Sequence, residues 1–450
     1  MSRRFLAILI GSLLIGPMIS PANALPYDQC HLALSPNQKV SLGFPISAER
    51  LVYKTSPRIL IIPFRLTDAP EATFSENFRQ DYLFASKKIY ELSSGKSKIE
   101  FTFNKVVASK YSSADMLKLW QTAHAGIQER DLTRSTWGFV RTLISEHDAE
   151  IDFSNFDAVI LDGLVGPIRS QLGEAMMFKP DSSDPWFESI VTAEGIISNV
   201  ALLGLHLDRF SITHEILHLY GLTDLYPAAA NSSIPSMMNN QFDYSSLLAY
   251  ERWVLGWLPN QSVVCMNEPI NSEASGLSQL VKFNLNQSDQ IVIIRTGNET
   301  AYILESSMDA EKQTLIFYSI GNEERPPIKV QGKIALENLI VDKQVIYSPI
   351  GRTIVSPHYI VLVTQIDATS IWVYVVPKTE FDSPATNELI AQSLLAKAAA
   401  DKATTEKLKT NAVPPKVLPK KKTQITCFKG KLIKTVTAIN PKCPTGYKKK

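Results

Sequence analysis

His214-Glu215-Ile216-Leu217-His218-Leu219-Tyr220-Gly221-Leu222-Thr223-Asp224, an HExxHxxGxxD string, is the stretch from which the rest of the chain can be read. On an α-helix, residues four apart lie on one face, so the His214 and His218 imidazoles can reach a single metal ion. Glu215 sits beside the first histidine, where its carboxylate can take a proton from water on that metal, the general-base role of metal-assisted hydrolysis. Gly221 lets the helix stop and turn sharply, because glycine adopts left-handed angles cheaply; it also reads as an ordinary helix C-cap. The turn brings Asp224 back as the candidate third ligand, with Glu251 on the next predicted helix as the competitor. Three protein ligands leave one position open for water, the arrangement of a catalytic zinc site, so one Zn2+ ion is expected. Calcium has no support in the sequence.

Outward from this string the chain alternates strand and helix signals. Arg58 to Leu66 (RILIIPFRL) is a continuous apolar run of strand length, and Phe74 to Leu92 has helical apolar spacing that stops at Ser93-Ser94-Gly95. Lys98 to Val107 alternates in strand period, two helices are expected near Ala114–Glu129 and Trp137–His147, and Asp157 to Asp162 is a buried-strand candidate. That order implies an α/β layer. The motif helix is expected over Phe210–Tyr220 and another over Ser245–Trp257, ended by Pro259. From Val263 to Val376 short β-rich runs separated by turn residues (VKFNL, QIVIIRT, TAYILES, TLIFYSI, YIVLVTQI, IWVYVV) suggest an antiparallel β-sandwich.

The motif, followed by Leu225-Tyr226, Ser236-Met237-Met238-Asn239 and LLAYERWVLGWL (Leu247 to Leu258), resembles the immune inhibitor A-type bacterial metallopeptidases. Tyr90-Glu91-Leu92-Ser93-Ser94-Gly95-Lys96 and the Arg58–Asp68 strand resemble that family's opening segment. The resemblance covers about residues 55–260 and, more faintly, the β-rich part to 376. It implies an α/β zincin-like catalytic domain, a twisted mixed sheet carrying the active-site helix. It also implies His214 and His218 as zinc ligands, Glu215 as catalytic base and Met238 as the residue of a Met-turn beneath the metal, with Met237 the alternative. Only about 30 residues separate the leader from the first strand, so a separate latency prodomain is not expected.

The ends of the chain carry other information. Arg3 and Arg4, an apolar stretch from Phe5 to Ile19 and Ala22-Asn23-Ala24 have the order of a cleaved secretory signal peptide. All four cysteines follow it, and an even count in an oxidising compartment favours disulfides. Cys427 and Cys443 share one short segment and are expected to pair, leaving Cys30 with Cys265. Cys30, next to His31, is thus read as structural rather than as a thiolate on the metal. His124, His147, His206 and His358 have no ligand spacing, and His206 reads as an ordinary polar contact. Residues 411–450 hold 11 lysines and no acid, so the rest of the chain is net acidic. This flexible basic tail is a solvated extension or a contact with an anionic cell-envelope surface.

These readings divide the chain into a signal peptide (1–24), a zincin-like metallopeptidase domain (25–260), a β-rich sandwich domain (261–376), an Ala/Lys/Pro linker (377–423) and a small Cys-bracketed basic module (424–450). The expected function is a secreted, monomeric zinc endopeptidase acting on extracellular proteins or peptides, cell-surface associated if the tail binds there, with no nucleic-acid partner. The alternative is a lapsed peptidase-like surface or adhesion protein. The Glu215 carboxylate between two intact ligands favours the enzyme.

Overall fold

The computed structural model describes residues 30–32, 46, 48–71, 73, 75–124, 136–164, 173–177, 189–204, 206–225, 234–267, 279–284, 290–309, 312–321, 328–335, 340–341, 344–345, 353–355, 359–366, 370–380, six scattered positions from 383 to 395, and 422–449. They belong to two compact units, Met1–Leu394 and Leu395–Lys450. The expected signal peptide, Tyr226, His358 and most of the expected linker lie outside the described residues.

The first unit opens with β1 (Arg58–Arg65), α1 (Glu76–Leu92), β2 (Glu100–Phe103), β3 (Val107–Ala108), α2 (Ser113–His124), α3 (Thr136–His147) and β4 (Ala158–Gly163). Then come β5 (Gly173–Met177), a hairpin of β6 (Ile190–Val191) and β7 (Ile196–Ile197), β8 (Asn199–Leu203) and α4 (Arg209–Leu219). The main sheet runs β2-β1-β4-β8-β5, with β3 also on β1. Its strands are parallel except β5, which pairs antiparallel with β8. Continuous apolar runs suit strands covered on both faces. Ile59, Ile61, Ile160 and Leu203 enter the core shared with α1 and α4, whereas Leu60, Ile62, Leu161 and Leu202 enter the one under α2 and α3. Pro63 is tolerated in β1 because it falls between the residues paired with β2 and those paired with β3.

In α1 the Ser75 hydroxyl accepts from Phe78 N at 3.3 Å, and Phe78, Tyr82, Ala85, Ile89 and Leu92 form one buried stripe. Ser94 and Gly95, both at positive φ, turn the chain away after it.

The helix expected over Ser245–Trp257 is much shorter: α5 spans Ala249–Val254. Leu248 is already extended (ψ 148°) as its N-cap, and Gly256 (φ 67°) turns the chain at the other end. The apolar spacing continues on both sides because those residues are buried in the same core without being helical.

Next come β9 (Val263–Asn267), β10 (Gln279–Asn284), β11 (Ile291–Arg295), β12 (Thr300–Asp309), β13 (Lys312–Gly321), β14 (Ile328–Ala335), a short pair β15 (Ile340–Val341) and β16 (Gln344–Val345), β17 (Thr353–Val355), β18 (Tyr359–Ile366) and β19 (Ser370–Pro377). They form sheets ordered β14-β13-β12-β11-β9 and β10-β19-β18-β17. Val292, Ile294, Leu304 and Phe317 of the first meet Val281, Val361 and Val373 of the second in one core. The first sheet is not wholly antiparallel, because β9 lies parallel to β11. Its opposite face, through Ile291, Ile293, Ile303 and Ile316, joins the core of α1, α4 and α5. The division drawn at residue 260 therefore falls inside one compact unit.

Cys30 is bonded to Cys265 of β9, closing a separation of 235 residues. In the chain-entropy picture such a closure stabilises by about 5 kcal/mol.

The second unit contains β20 (Thr423–Lys429), β21 (Leu432–Ala438) and β22 (Lys448–Lys449), ordered β21-β20-β22 and antiparallel, with a Cys427–Cys443 disulfide.

Candidate metal centre

α4 starts at Asp208, whose carboxylate accepts from Phe210 N at 2.8 Å and Ser211 N at 3.2 Å. Every residue from Ser211 to Leu219 is buried, so this helix has no solvent face and its polar side chains must find partners inside. His214 Nδ1 lies 2.9 Å from the Met237 carbonyl oxygen, and His218 Nδ1 lies 2.9 Å from that of Leu222. A carbonyl only accepts, which assigns the ring proton to Nδ1 in both neutral imidazoles and leaves each Nε2 with its lone pair. Those two Nε2 atoms are 3.2 Å apart, and Asp224 Oδ1 stands 3.1 Å from the first and 3.3 Å from the second.

Among the described residues, His214, His218 and Asp224 are the group whose ligand atoms gather in this way, all within 4.8 Å of one another. Two nitrogen lone pairs and a carboxylate oxygen converging so closely repel unless positive charge lies between them. In a tetrahedron with zinc–ligand bonds of 2.0–2.1 Å, donor atoms are about 3.3 Å apart, so both the donor set and its spacing fit that ion. Burial leaves the two histidines little solvent, while the Asp224 side chain is 41% exposed, so the cluster opens outward on the Asp224 side.

The turn that returns Asp224 depends on Gly221. Its φ is +108°, and a Cβ there would lie 2.7 Å from Ile46 Cγ2, so any side chain would be strained twice over. Gly221 N donates to His218 O at 2.7 Å, and Leu225 N donates to Met238 O at 2.9 Å just beyond the aspartate. The segment Ser236–Asn239 therefore supports the cluster through two backbone carbonyls, Met237 to the first histidine and Met238 to the chain after Asp224. Both methionine side chains are fully buried in the surrounding core. No protein-family model matches this chain, and no curated protein matches it.

Glu251 is not part of the cluster. Its Oε2 accepts from Ser236 Oγ at 2.7 Å and from Leu248 N at 2.8 Å, which caps α5 and holds the Met237 turn. Burial raises its carboxyl to about 8, against the opposing hydrogen bonds from Ser236 and Leu248. A residue that sequence reasoning missed lies behind it. Glu305, fully buried on β12, accepts from Ala249 N (3.1 Å), Tyr250 N (3.2 Å) and the Tyr318 hydroxyl (2.8 Å). The β-rich layer thus anchors the start of α5, and Glu251 of that helix holds, through Ser236, the turn under His214. An acid inside the apolar run TAYILES is the signal that could have drawn attention to it.

Two other expectations resolve elsewhere. Cys30 is bonded to Cys265, so no thiolate remains to approach a metal, and His31 stacks on Trp253 with ring centroids 4.1 Å apart. His206 is more than an ordinary polar contact. Its Nδ1 is 2.9 Å from Asp162 Oδ2 and its Nε2 3.2 Å from Asp81 Oδ2, while Tyr82 donates to the same Asp162 oxygen at 2.6 Å. Burial alone would lower the His206 imidazolium, but Asp162 and Asp81 outweigh it and raise it. This hydrogen-bonded group ties α1 to the end of β4.

Proposed function

We propose that this chain is a secreted zinc-dependent endopeptidase, with His214, His218 and Asp224 holding the ion and Glu215 as the catalytic base. The observation that carries the reading is the convergence of two Nε2 atoms and one carboxylate oxygen within 4.8 Å, with both imidazoles oriented by backbone carbonyls. Held there, zinc supplies a Lewis acid that polarises a peptide carbonyl and lowers the pKa of attacking water. Glu215 takes the proton of that water on its carboxylate and returns it to the departing amine nitrogen. It is 7% exposed and close enough for its charge to favour the His218 imidazolium, so it works in a largely dry setting. Peptide recognition has a natural place at β5. Among the described residues β5 pairs only with β8, and its free edge beside α4 can accept an extended backbone as a further strand. Two disulfides support an oxidising, extracellular setting. No helix among the described residues is long and apolar enough to cross a membrane.

Casein zymography of the purified protein tests this reading. Hydrolysis is expected to disappear with 1,10-phenanthroline and to return on adding zinc. Stoichiometric zinc binding without hydrolysis of any protein substrate would move the chain to the scaffold reading, and chelator-insensitive hydrolysis would remove the metal from the mechanism.

A further inference from the structure

Among its described residues, the second compact unit shows no apolar core. Cys427 is the only buried residue among those described there, and it is bonded to Cys443 with a Cα–Cα distance of 5.7 Å. A sheet this small needs such a staple, since its side chains cannot bury enough surface. Of the large apolar residues exposed among its described ones (Leu395, Leu432, Ile433 and Ile439), two adjacent ones stand together at one hairpin tip. The two-residue turn Gly430-Lys431, with Gly430 at φ +62°, joins β20 to β21, and the next residues are Leu432 and Ile433. Both are well exposed, at 62% and 66%. Successive strand residues face opposite ways, so the hairpin tip presents an aliphatic side chain on each face.

Lysines surround that tip. Lys429 is directly opposite Leu432, Lys431 is in the turn and Lys434 follows one residue after Ile433. Further back, Lys448 and Lys449 pair with Phe428 and Cys427, which puts a lysine on each face of the sheet. No acidic residue occurs anywhere from 411 to 450. A soluble or wall-bound polyanion would be satisfied by the lysines alone and gives no reason to expose leucine and isoleucine in water. A bilayer has a use for both. Its acyl region takes the aliphatic tip, while lysine stems lie along the apolar surface with their ammonium groups at the phosphates. From this we infer that the C-terminal unit docks on anionic lipid membrane, inserting the Lys429–Lys434 hairpin tip.

The test uses the full mature chain and sedimentation with vesicles. Binding to equimolar phosphatidylglycerol and phosphatidylcholine is expected to exceed binding to pure phosphatidylcholine by at least about tenfold, and to fall as salt screens the lysines. Leu432→Thr with Ile433→Thr keeps every charge and suits a strand, and should weaken anionic-vesicle binding about tenfold or more. A separate variant, Lys429→Gln with Lys431→Gln and Lys434→Gln, should weaken it similarly while leaving the aliphatic tip. Intact mass verifies that both variants retain the Cys427–Cys443 disulfide. Equal binding to neutral and anionic vesicles, or none to either, would overturn the inference. So would an unchanged affinity of the Leu432/Ile433 variant for vesicles, which would mean that the unit is only a polyanion-binding patch. Peptidase activity is not read in any arm, so the outcome is independent of the zinc reading.

Discussion

Replacing Glu215 by Gln is expected to lower casein hydrolysis by about a thousandfold while zinc content and fold are kept. General acid–base groups contribute roughly 10²–10⁴ in rate, and this carboxylate is the only one the motif places between the two histidines. Gln has the same shape and cannot hold the proton between water and the leaving amine. It is not one of the three gathered ligand groups, so the metal should stay. Kinetics, metal analysis and thermal melting on the same preparation separate these effects. Wild-type hydrolysis by the variant would sink the proposed role, and loss of zinc would make Glu215 a ligand or its support instead.

His218→Ala is expected to abolish stoichiometric zinc binding. The substitution removes a proposed nitrogen ligand and also the Nδ1 donor to Leu222 O, whose buried carbonyl then costs about 1–3 kcal/mol of stability. Asp224→Ala should weaken zinc by more than the 10–100-fold typical of an outer partner. Glu251→Gln should leave the metal in place and lower the melting temperature, because Glu251 supports α5 and the Ser236 turn. The reverse pattern would make Glu251 the third ligand. Zinc binding should also depend on pH in one direction. Burial alone would lower the His218 imidazolium, but the hydrogen bond and charge of Asp224 outweigh it, Glu215 adds to them, and it is raised to about 9. Zinc needs the Nε2 lone pair that this proton occupies, so affinity rises with pH towards about 9, falls as the solution is acidified, and protons are released on binding at neutral pH. Titration calorimetry in buffers of different ionisation enthalpy measures that release.

What was legible in the sequence is what local rules control. His214 and His218 are four apart, Gly221 turns the chain, and Asp224 arrives beside both imidazoles, all within eleven consecutive residues. The strand at Arg58–Arg65 and the helices at Glu76–Leu92 and Thr136–His147 follow from apolar period and stop signals, to within two residues at their ends. Where apolar residues are buried without being helical the same rule overreaches, as around Ala249–Val254. Roles carried by backbone or by distant pairs left no local trace. The Met237 carbonyl reaches His214 across 23 positions, and Glu305 reaches Ala249 across 56. The parallel pairing of β9 with β11 also eluded patterning, because turn residues between short strands suggest hairpins.

The most direct test of the metal centre is an anomalous-scattering map at the zinc edge from crystals of the purified protein. One peak per chain is expected, about 2.0–2.2 Å from His214 Nε2, His218 Nε2 and an Asp224 oxygen. No peak there in zinc-loaded crystals, or a peak held by Glu251 in place of Asp224, would contradict it.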